Sequence, residues 1–193
     1  MFTFDPHSYG PFVSEILRKD RLSPLGPCRP TQAVPANLAA LATNMEQAFA
    51  PHPIQDREMA QACLAGLWLY HDYLDESHRI SQGIETSSGT YWHGLMHRRE
   101  PDFDNAKYWF RRVGQHSIFP ALRAAAAELA APVELQSAAR FLATEPAWDP
   151  FAFTDLCESC LAGRSSHTLL CEQIQQREWE LLFDYCYRGI MST

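Results

Sequence analysis

The chain has 193 residues, of which 46% are hydrophobic and 20% charged, with a formal net charge of -7. This is the balance of an ordinary folded protein and not of a disordered one. The acidic charge argues against a nucleic-acid partner, because neutralising phosphates needs a basic face. We expect no membrane span, since no apolar run approaches the roughly 18 residues that one requires. The first residues also lack a signal peptide's basic and apolar regions, so we expect a cytoplasmic protein.

The six cysteines fit reduced thiols better than a disulfide framework in such a protein. Cys157 and Cys160 form one CxxC pair, but it falls inside a predicted helix and has no second pair at zinc-finger spacing. Cys63, Cys171 and Cys186 occupy apolar positions of predicted helices, where a thiol packs as a small hydrophobic group. We therefore do not predict a zinc site built from cysteines.

Prolines organise the N-terminal part, since eight of the thirteen precede residue 54. Residues 12–19 could form one helix. Residues 23–35 cannot, because each proline ring removes a hydrogen-bond donor and disfavours helix before it. Pro35 suits the first turn of a helix that runs to about residue 50. We predict that residues 1–55 are a proline-rich segment packed on the rest of a single domain, 1–193.

From residue 56 onward the apolar spacing is helical nearly everywhere, and no alternating β-branched run predicts a strand. Asp56 is placed to cap a long helix that reaches Gln82. Residues that favour helix starts recur further along the chain: Pro120, Pro132, Asp149 or Thr154, and Ser165 or Ser166, the last helix ending near Arg188. The predicted fold class is all-α, with about eight helices, and residues 115–193 form the C-terminal ones.

The segment 91–113 predicts two short helices joined by a tight turn at Pro101 and Asp102, with Asp102 and Asn105 near the cap of the second helix. Its second helix has a stripe of four residues at i, i+3, i+4 and i+7, Ala106, Trp109, Phe110 and Val113, which is typical of a core face. Gly94 supplies a small residue where the two helices would cross.

This spacing resembles a tetratricopeptide unit, and residues 64–80 repeat it more loosely, with Ser77 in the alanine role 29 residues before Ala106; regular arrays repeat at about 34. The resemblance implies irregular tetratricopeptide-like hairpins over residues 56–114. The run 91–114, of the type YWHGxMHRREPDxxNAKYWFRRVG, also resembles a family of bacterial and fungal helical proteins. That second resemblance implies no activity.

Histidines at helical spacing are the candidate metal ligands. His93, His97 and Glu100 share one helical face, and His78 on the preceding helix could join them, together with His71 and Asp75. Imidazoles one turn apart can reach one Zn, Fe or Mn ion. The motif is not HExxH, because Gly94 stands where the general base would be. The alternative is that these histidines lie at the hairpin interface and bond to a carbonyl or carboxylate.

Arginines at the hairpin are the other candidate site. A tetratricopeptide-like hairpin would turn Arg98 and Arg99 toward a groove, where guanidiniums bind carboxylate or phosphate groups. The predicted ligand-binding residues are Tyr91, His97, Arg98, Arg99, Tyr108 and Arg111. The alternative is internal pairing with the neighbouring Glu85, Glu100, Asp102 and Asp104. Glu178, next to Trp179, is either a solvated residue or a partly buried partner for an arginine of the hairpin.

These candidates give three hypotheses of function. The leading one is a binding module for an anionic small molecule or a peptide or protein segment, and it needs no cofactor. The second is a metal-dependent enzyme, for hydrolysis or oxygen chemistry, that uses His93 and His97. The third is a structural protein that forms a homo-oligomer through apolar side chains.

Overall fold

The computed structural model describes residues 2–17, 21–30, 38–39 and 43–191. Within these ranges the chain forms α-helices and two short 3-10 turns, Pro6–Ser8 and Ser137–Ala139, and no strand. The helices are α1 (Pro11–Ile16), α2 (Met45–Ala48), α3 (Arg57–Tyr70), α4 (Leu74–Ser81), α5 (Ser87–Arg99), α6 (Phe103–Val113), α7 (Phe119–Ala130), α8 (Phe141–Thr144), α9 (Pro150–Leu161) and α10 (Thr168–Gly189). The predicted all-α class is therefore confirmed, with one continuous hydrophobic core.

The described part of the N-terminal segment packs on the C-terminal helix α10. Tyr9 contacts the rings of Phe183 and Tyr187, and the Gly10 N–H donates to the Tyr187 hydroxyl at 2.7 Å. The helix predicted from residue 12 is the shorter α1, and residues 18–20 lie outside the described residues.

The helix predicted from Pro35 to about residue 50 lies partly outside the described residues, which omit 31–37 and 40–42. Its described C-terminal end is the short helix α2. Asn44 precedes α2 with non-helical backbone, and its side chain caps the helix by accepting a hydrogen bond from the Gln47 N–H. A single unbroken helix over this stretch is therefore wrong, because a capping residue starts a new helix at this point.

The single helix predicted from Asp56 to Gln82 is also wrong, because a turn divides it into α3 and α4. Asp72, in that turn, has a φ of 63°, a left-handed conformation in which asparagine and aspartate are enriched. Asp56 does cap α3, since its carboxylate accepts a hydrogen bond from the Met59 N–H at 3.0 Å. The turn buries Asp72 and lets α4 pack beside α5.

The predicted pair of helices at the centre of the chain is present as α5 and α6, which pack against each other. Asp102 caps α6 by accepting from the Asn105 N–H at 3.3 Å. Gly94 lies against the Phe110 ring: a Cβ there would be 2.7 Å from the nearest ring carbon. The hairpin and its small crossing residue are thus as predicted, while its tetratricopeptide character stays a prediction.

Two of the predicted helix starts in the C-terminal part are correct. Pro120 lies in the first turn of α7, and Asp149 caps α9 by accepting hydrogen bonds from two backbone N–H groups. The helix start predicted at Pro132 is wrong. The last predicted helix is present as α10 and ends at Gly189, close to the predicted Arg188, but neither Ser165 nor Ser166 caps it. Residues 131–136 form turns and irregular backbone, and α10 begins at Thr168 without a side-chain cap. None of the described helices is long and apolar enough to cross a membrane.

Helix α5 occupies the middle of the molecule. It packs against α3, α4 and α6, and every residue from 88 to 99 is buried. Close approach of α3 depends on Gly66, where a Cβ would lie 2.7 Å from the Trp92 ring. A helix buried on all sides must place its polar side chains in the interior, where each needs a partner. The candidate site residues of α5 are therefore internal.

Candidate functional site

Three histidines converge between α4 and α5. His93 and His97 are one turn apart on α5, and His78 comes from α4. Each offers a ring nitrogen, and these three nitrogens lie within 4.8 Å of one another. The His93 ring is stacked on His97 with centroids 4.8 Å apart, and His78 lies 4.8 Å from His93 and 5.0 Å from His97. Of the predicted metal ligands, these three are the ones that the fold brings together.

The surroundings of His93 keep its imidazole neutral. Burial lowers the pKa of His93 to about 3, assisted by the nearby His97 and His78, and burial also lowers the pKa of His97. Both ring nitrogens of His93 are buried without a hydrogen-bond partner among the described residues. The ring is held by stacking on Trp109 of α6, at 4.0 Å between centroids. Such nitrogens in the interior are an exception to the usual pairing of buried polar groups.

His97 lies next to polar side chains that follow α5. Its Nδ1 is 3.2 Å from a carboxylate oxygen of Glu100 and 3.9 Å from one of Asp102. The amide nitrogen of Asn105 is 3.2 Å from Nε2 of the same ring. Glu100 contacts the outer side of the cluster and is not one of the three mutually close donors. Its geometry is that of a carboxylate that orients a histidine, and not of a fourth ligand.

His71 and Asp75, the further ligands considered from the sequence, are outside the described cluster. His71 is the residue after α3 and its ring contacts Tyr70 at 5.0 Å. Asp75, in the first turn of α4, is exposed. The turn at Asp72 explains the difference, because an unbroken helix would have kept all three residues on one face.

The predicted ligand-binding residues fall into separate environments. The Arg98 guanidinium is 1% exposed and forms an ion pair with Glu178 of α10, which is 0% exposed. Tyr91 donates its hydroxyl hydrogen to the same carboxylate at 2.7 Å. Burial lowers the pKa of Arg98, but Glu178 outweighs it and the net direction is upward. Burial and then Glu178 raise the pKa of Tyr91, so the pair is Arg98⁺ and Glu178⁻ with a neutral phenol.

Arg99 is buried in a second ion network at the end of α5. Its guanidinium pairs with Asp72 and donates to the Gly26 carbonyl at 3.3 Å, while Arg21 pairs with the other oxygen of Asp72. Burial lowers the pKa of Arg99 to about 10, which still leaves it charged near neutral pH. Internal pairing, the alternative considered from the sequence, therefore describes both arginines. The partners are Glu178 and Asp72, not the acidic residues of the hairpin itself.

Tyr108 and Arg111 lie apart from these buried groups. Tyr108 is 48% exposed, and Arg111 is exposed with its guanidinium over the Phe151 ring. They share α6, whose buried face is formed by Ala106, Phe110 and Val113. The six predicted ligand-binding residues therefore do not line one groove.

Two participants are not predicted by the sequence: Trp109 as a partner of His93, and Asp72 as the partner of Arg99. The Arg98–Glu178 pair is one of the two alternatives that the sequence leaves open for Glu178. The spacing predicts Trp109 as a member of the core stripe, or as a wall of the pocket for an anion. It is instead half-exposed and stacks on His93, while the other members of the stripe are buried. Asp72 falls inside the helix predicted from Asp56 to Gln82, and that prediction gives no reason for it to meet Arg99. Comparison with protein-family models, curated proteins and solved structures found no match. The fold and site define an α-helical protein with a cluster of three histidines, two of them buried and His78 half-buried.

Proposed function

We propose that this protein binds one transition-metal ion between α4 and α5, through one ring nitrogen each of His78, His93 and His97. The observation that carries the proposal is the convergence of these three nitrogens within 4.8 Å, one of the rings having no other polar partner. Imidazole nitrogens suit zinc, copper, iron and nickel.

The separation of the donors fits an ion after small side-chain movements. Bonds of about 2.0–2.1 Å place two nitrogens of a tetrahedral zinc site about 3.4 Å apart. The widest separation in the cluster is 4.8 Å, so the rings must close by rather more than an ångström. The half-buried His78 is the ring with most room to rotate. Neutral rings at His93 and His97 favour binding further, because no proton has to be displaced from them.

Glu100 has a supporting role in this proposal. Its carboxylate accepts a hydrogen bond from Nδ1 of His97, so Nε2 of that ring would bind the ion after giving up its contact with the Asn105 amide at 3.2 Å. A carboxylate in that place fixes the tautomer and increases the basicity of the histidine. The Trp109 ring fixes the plane of His93 in a similar way.

Three protein ligands leave the fourth position of a tetrahedral ion open, which is the arrangement of catalytic zinc. A zinc ion held by His78, His93 and His97 would supply the chemistry of metal-assisted hydrolysis. An iron ion in the same site would support oxygen chemistry instead, as the sequence hypothesis allowed. The identity of the ion in protein purified without chelator distinguishes the two.

The test is elemental analysis together with zinc titration of metal-free protein. We expect about one zinc or iron ion per chain, and at least a 100-fold loss of zinc affinity in His78→Gln and in His93→Gln. Glu100→Gln should lose about 10- to 100-fold, as for an orienting partner. His116→Gln is the matched control, because His116 is buried but lies outside the cluster, and its affinity should be unchanged.

A second readout uses the stacked tryptophan. Cu²⁺ or Co²⁺ bound at His93 should quench Trp109 fluorescence, and Trp109→Phe should lose that quenching while keeping the metal stoichiometry. Metal content well below one per chain, together with zinc affinity that is the same in His78→Gln and the wild type, would overturn the proposal. His78 is half-buried, so this variant should fold even if His93→Gln does not.

The burial of Arg98 and Arg99 limits the anions that the arginine-based hypothesis allows. A peptide or a phosphate ester would need guanidiniums that solvent can reach, whereas Arg98 and Arg99 are 1% and 3% exposed. Any anion that they bind must be small enough to fit inside the protein.

A further inference from the structure

Three buried cysteines meet between α9 and α10. Cys157 and Cys160 lie on α9 and form the CxxC pair of the sequence, and Cys171 lies in the first turn of α10. The Sγ atoms of Cys160 and Cys171 are 3.8 Å apart. A hydrogen bond with Cys157, and then burial, raise the pKa of Cys171. Cys171 therefore faces two other thiols, although its spacing in the sequence indicates only a small apolar group.

The contact between Cys160 and Cys171 is close enough to become a disulfide bond after a small movement of the two side chains. A disulfide is about 2.05 Å long, so the sulfur atoms have to approach each other by about 1.8 Å. Cys160 lies in the last turn of α9, and Cys171 follows 11 residues later along the chain. The bond would join the end of one helix to the start of the next, across the short loop of residues 162–167.

Access from solvent distinguishes this pair from the other buried thiols. Cys160 is 7% exposed, whereas Cys157 and Cys171 are 1% and 0% exposed, so an oxidant in solution reaches Cys160 first. Cys63 and Cys186 are a second pair of neighbouring thiols: burial, and then a hydrogen bond with Cys186, raise the pKa of Cys63. Both are 0% exposed, and a thiol enclosed in apolar surroundings is inert. This second pair is therefore an internal reference that should remain reduced.

We infer that Cys160 and Cys171 form a site of reversible oxidation, at which hydrogen peroxide converts the two thiols into a disulfide. Peroxide first oxidises Cys160: the O–O bond breaks, Cys160 becomes a sulfenic acid, and its thiol hydrogen leaves with the other oxygen as water. The Sγ of Cys171 then bonds to that sulfur and the S–OH bond breaks. The hydroxyl leaves with the thiol hydrogen of Cys171 as a second water. A small thiol such as dithiothreitol reverses the reaction by thiol–disulfide exchange.

The proton on Cys171 makes the second step slow. The thiolate is the attacking form of a cysteine, and the raised pKa of Cys171 keeps this thiol protonated. We expect the disulfide to form over minutes to hours, the time range of uncatalysed disulfide chemistry. The pair would therefore respond to sustained oxidation and not to a brief exposure. This inference uses none of the residues of the proposed metal site and does not depend on it.

The test is disulfide mapping of the folded wild-type chain after treatment with hydrogen peroxide. Chelator is present throughout, so that a bound metal ion takes no part. The remaining thiols are then blocked under denaturing conditions, and mass spectrometry of the digested protein identifies the linked peptides. We expect the Cys160–Cys171 linkage in most chains, its loss after dithiothreitol, and free thiols at Cys63 and Cys186.

Serine variants identify the thiol that reacts first. Cys160→Ser should leave Cys171 reduced, with at least a tenfold loss of disulfide-linked chains at the same peroxide concentration and time. Cys157→Ser is the matched control, because it removes a buried thiol of the same helix, and Cys28→Ser removes the exposed thiol. Both should keep the Cys160–Cys171 linkage. A linkage of Cys171 to Cys157 in the wild type would overturn the inference, as would free thiols at both Cys160 and Cys171 after treatment. If Cys160→Ser does not fold, the wild-type map decides.

Discussion

The buried polar side chains of α5 divide into two kinds at the scale of single residues. Tyr91 and Arg98 share a carboxylate from another helix, so the charge of Arg98 is compensated, although its Nε and Nη1 have no hydrogen-bond partner among the described residues. His93 has the same degree of burial but no partner for either nitrogen. A buried charge that is paired with an opposite charge needs no ligand to account for it. A buried ring whose nitrogens have no such partner calls for a ligand, and for this reason the metal proposal begins at His93 and not at the arginines.

Glu178→Gln should destabilise the protein strongly. The substitution leaves the Arg98 charge buried without a counter-charge, and breaking such a pair costs about 3–5 kcal/mol. Denaturant unfolding measures this loss in free energy of unfolding. The control is Glu158→Gln, because Glu158 pairs with Arg164 at 3.6 Å on the surface, and its loss should stay below about 0.5 kcal/mol. Equal effects of the two variants would show that the buried pair has been given the wrong role.

The sequence could predict part of the histidine cluster. The spacing of His93 and His97 places them on one face whatever the tertiary fold, and His78 was included because a neighbouring helix could reach them. The pairing of the arginines could not be predicted in the same way: Glu178 is only one of several acids that the sequence offers, and Asp72 is not among them. Glu178 is 80 residues from Arg98 along the chain, so only the packing of α10 on α5 brings the two together.

At the scale of elements, the crossing of α5 and α6 depends on the absence of a side chain at Gly94. Gly94→Ala gains about 1 kcal/mol of helix propensity, but its Cβ would lie 2.7 Å from the Phe110 ring. We expect a net loss of about 1–2 kcal/mol, because overpacking a core costs about 1–3 kcal/mol or more. Chemical denaturation with metal bound and with metal removed would measure it.

Gly83→Ala is the matched control for this substitution. The nearest atom to its new Cβ is 3.6 Å away, so stability should change little. Phe110→Leu replaces the opposing ring by a smaller side chain. The loss in free energy of unfolding of the double variant Gly94→Ala, Phe110→Leu should therefore be smaller than the sum of the losses in the two single variants. Strict additivity would mean that the two residues do not meet in the way described.

Helix existence was predictable from spacing, but several helix boundaries were not. Three helix starts were predictable because each depends on a local hydrogen bond, in which the carboxylate accepts from a backbone N–H two or three residues later. The capping residues are Asp56, Asp102 and Asp149. The turn at Asp72 has no such local signal. Its left-handed backbone is accompanied by an ion pair between Asp72 and Arg99, and Arg99 belongs to another helix. A proline is compatible with the first turn of a helix but does not by itself start one. No helix begins at Pro132, where the backbone is irregular.

At the scale of the whole molecule, His116 should make stability fall in acid. Its Nδ1 accepts the Ile118 N–H at 3.3 Å and its Nε2 contacts the Ser88 hydroxyl at 3.1 Å. Burial lowers the folded-state pKa from 6.5 to about 4. The unfolded chain therefore takes up the proton first, so the contribution is complete above about pH 6.5 and is lost as the pH falls through 4.

The size of this contribution is about 3 kcal/mol, at about 1.4 kcal/mol per unit of difference between the folded and unfolded pKa. His116→Asn should have a flatter stability profile than the wild type between pH 6.5 and 4. Denaturant titrations in the presence of chelator at several pH values measure the free energy of unfolding of both proteins. The contributions of titrating groups that both proteins share cancel in the difference. Parallel profiles for the two proteins would contradict the assignment of a neutral, buried His116.

Because α5 is enclosed along residues 88–99, it has no surface on which neutral drift can accumulate. A half-exposed helix such as α6 can exchange its outward residues freely over evolutionary time and remain recognisable only by its apolar stripe. In helix α5 each replacement would require a compensating one on a neighbouring helix, so its sequence should change slowly. Descendants of this protein should thus be easier to align through this stretch than through any of its amphipathic helices.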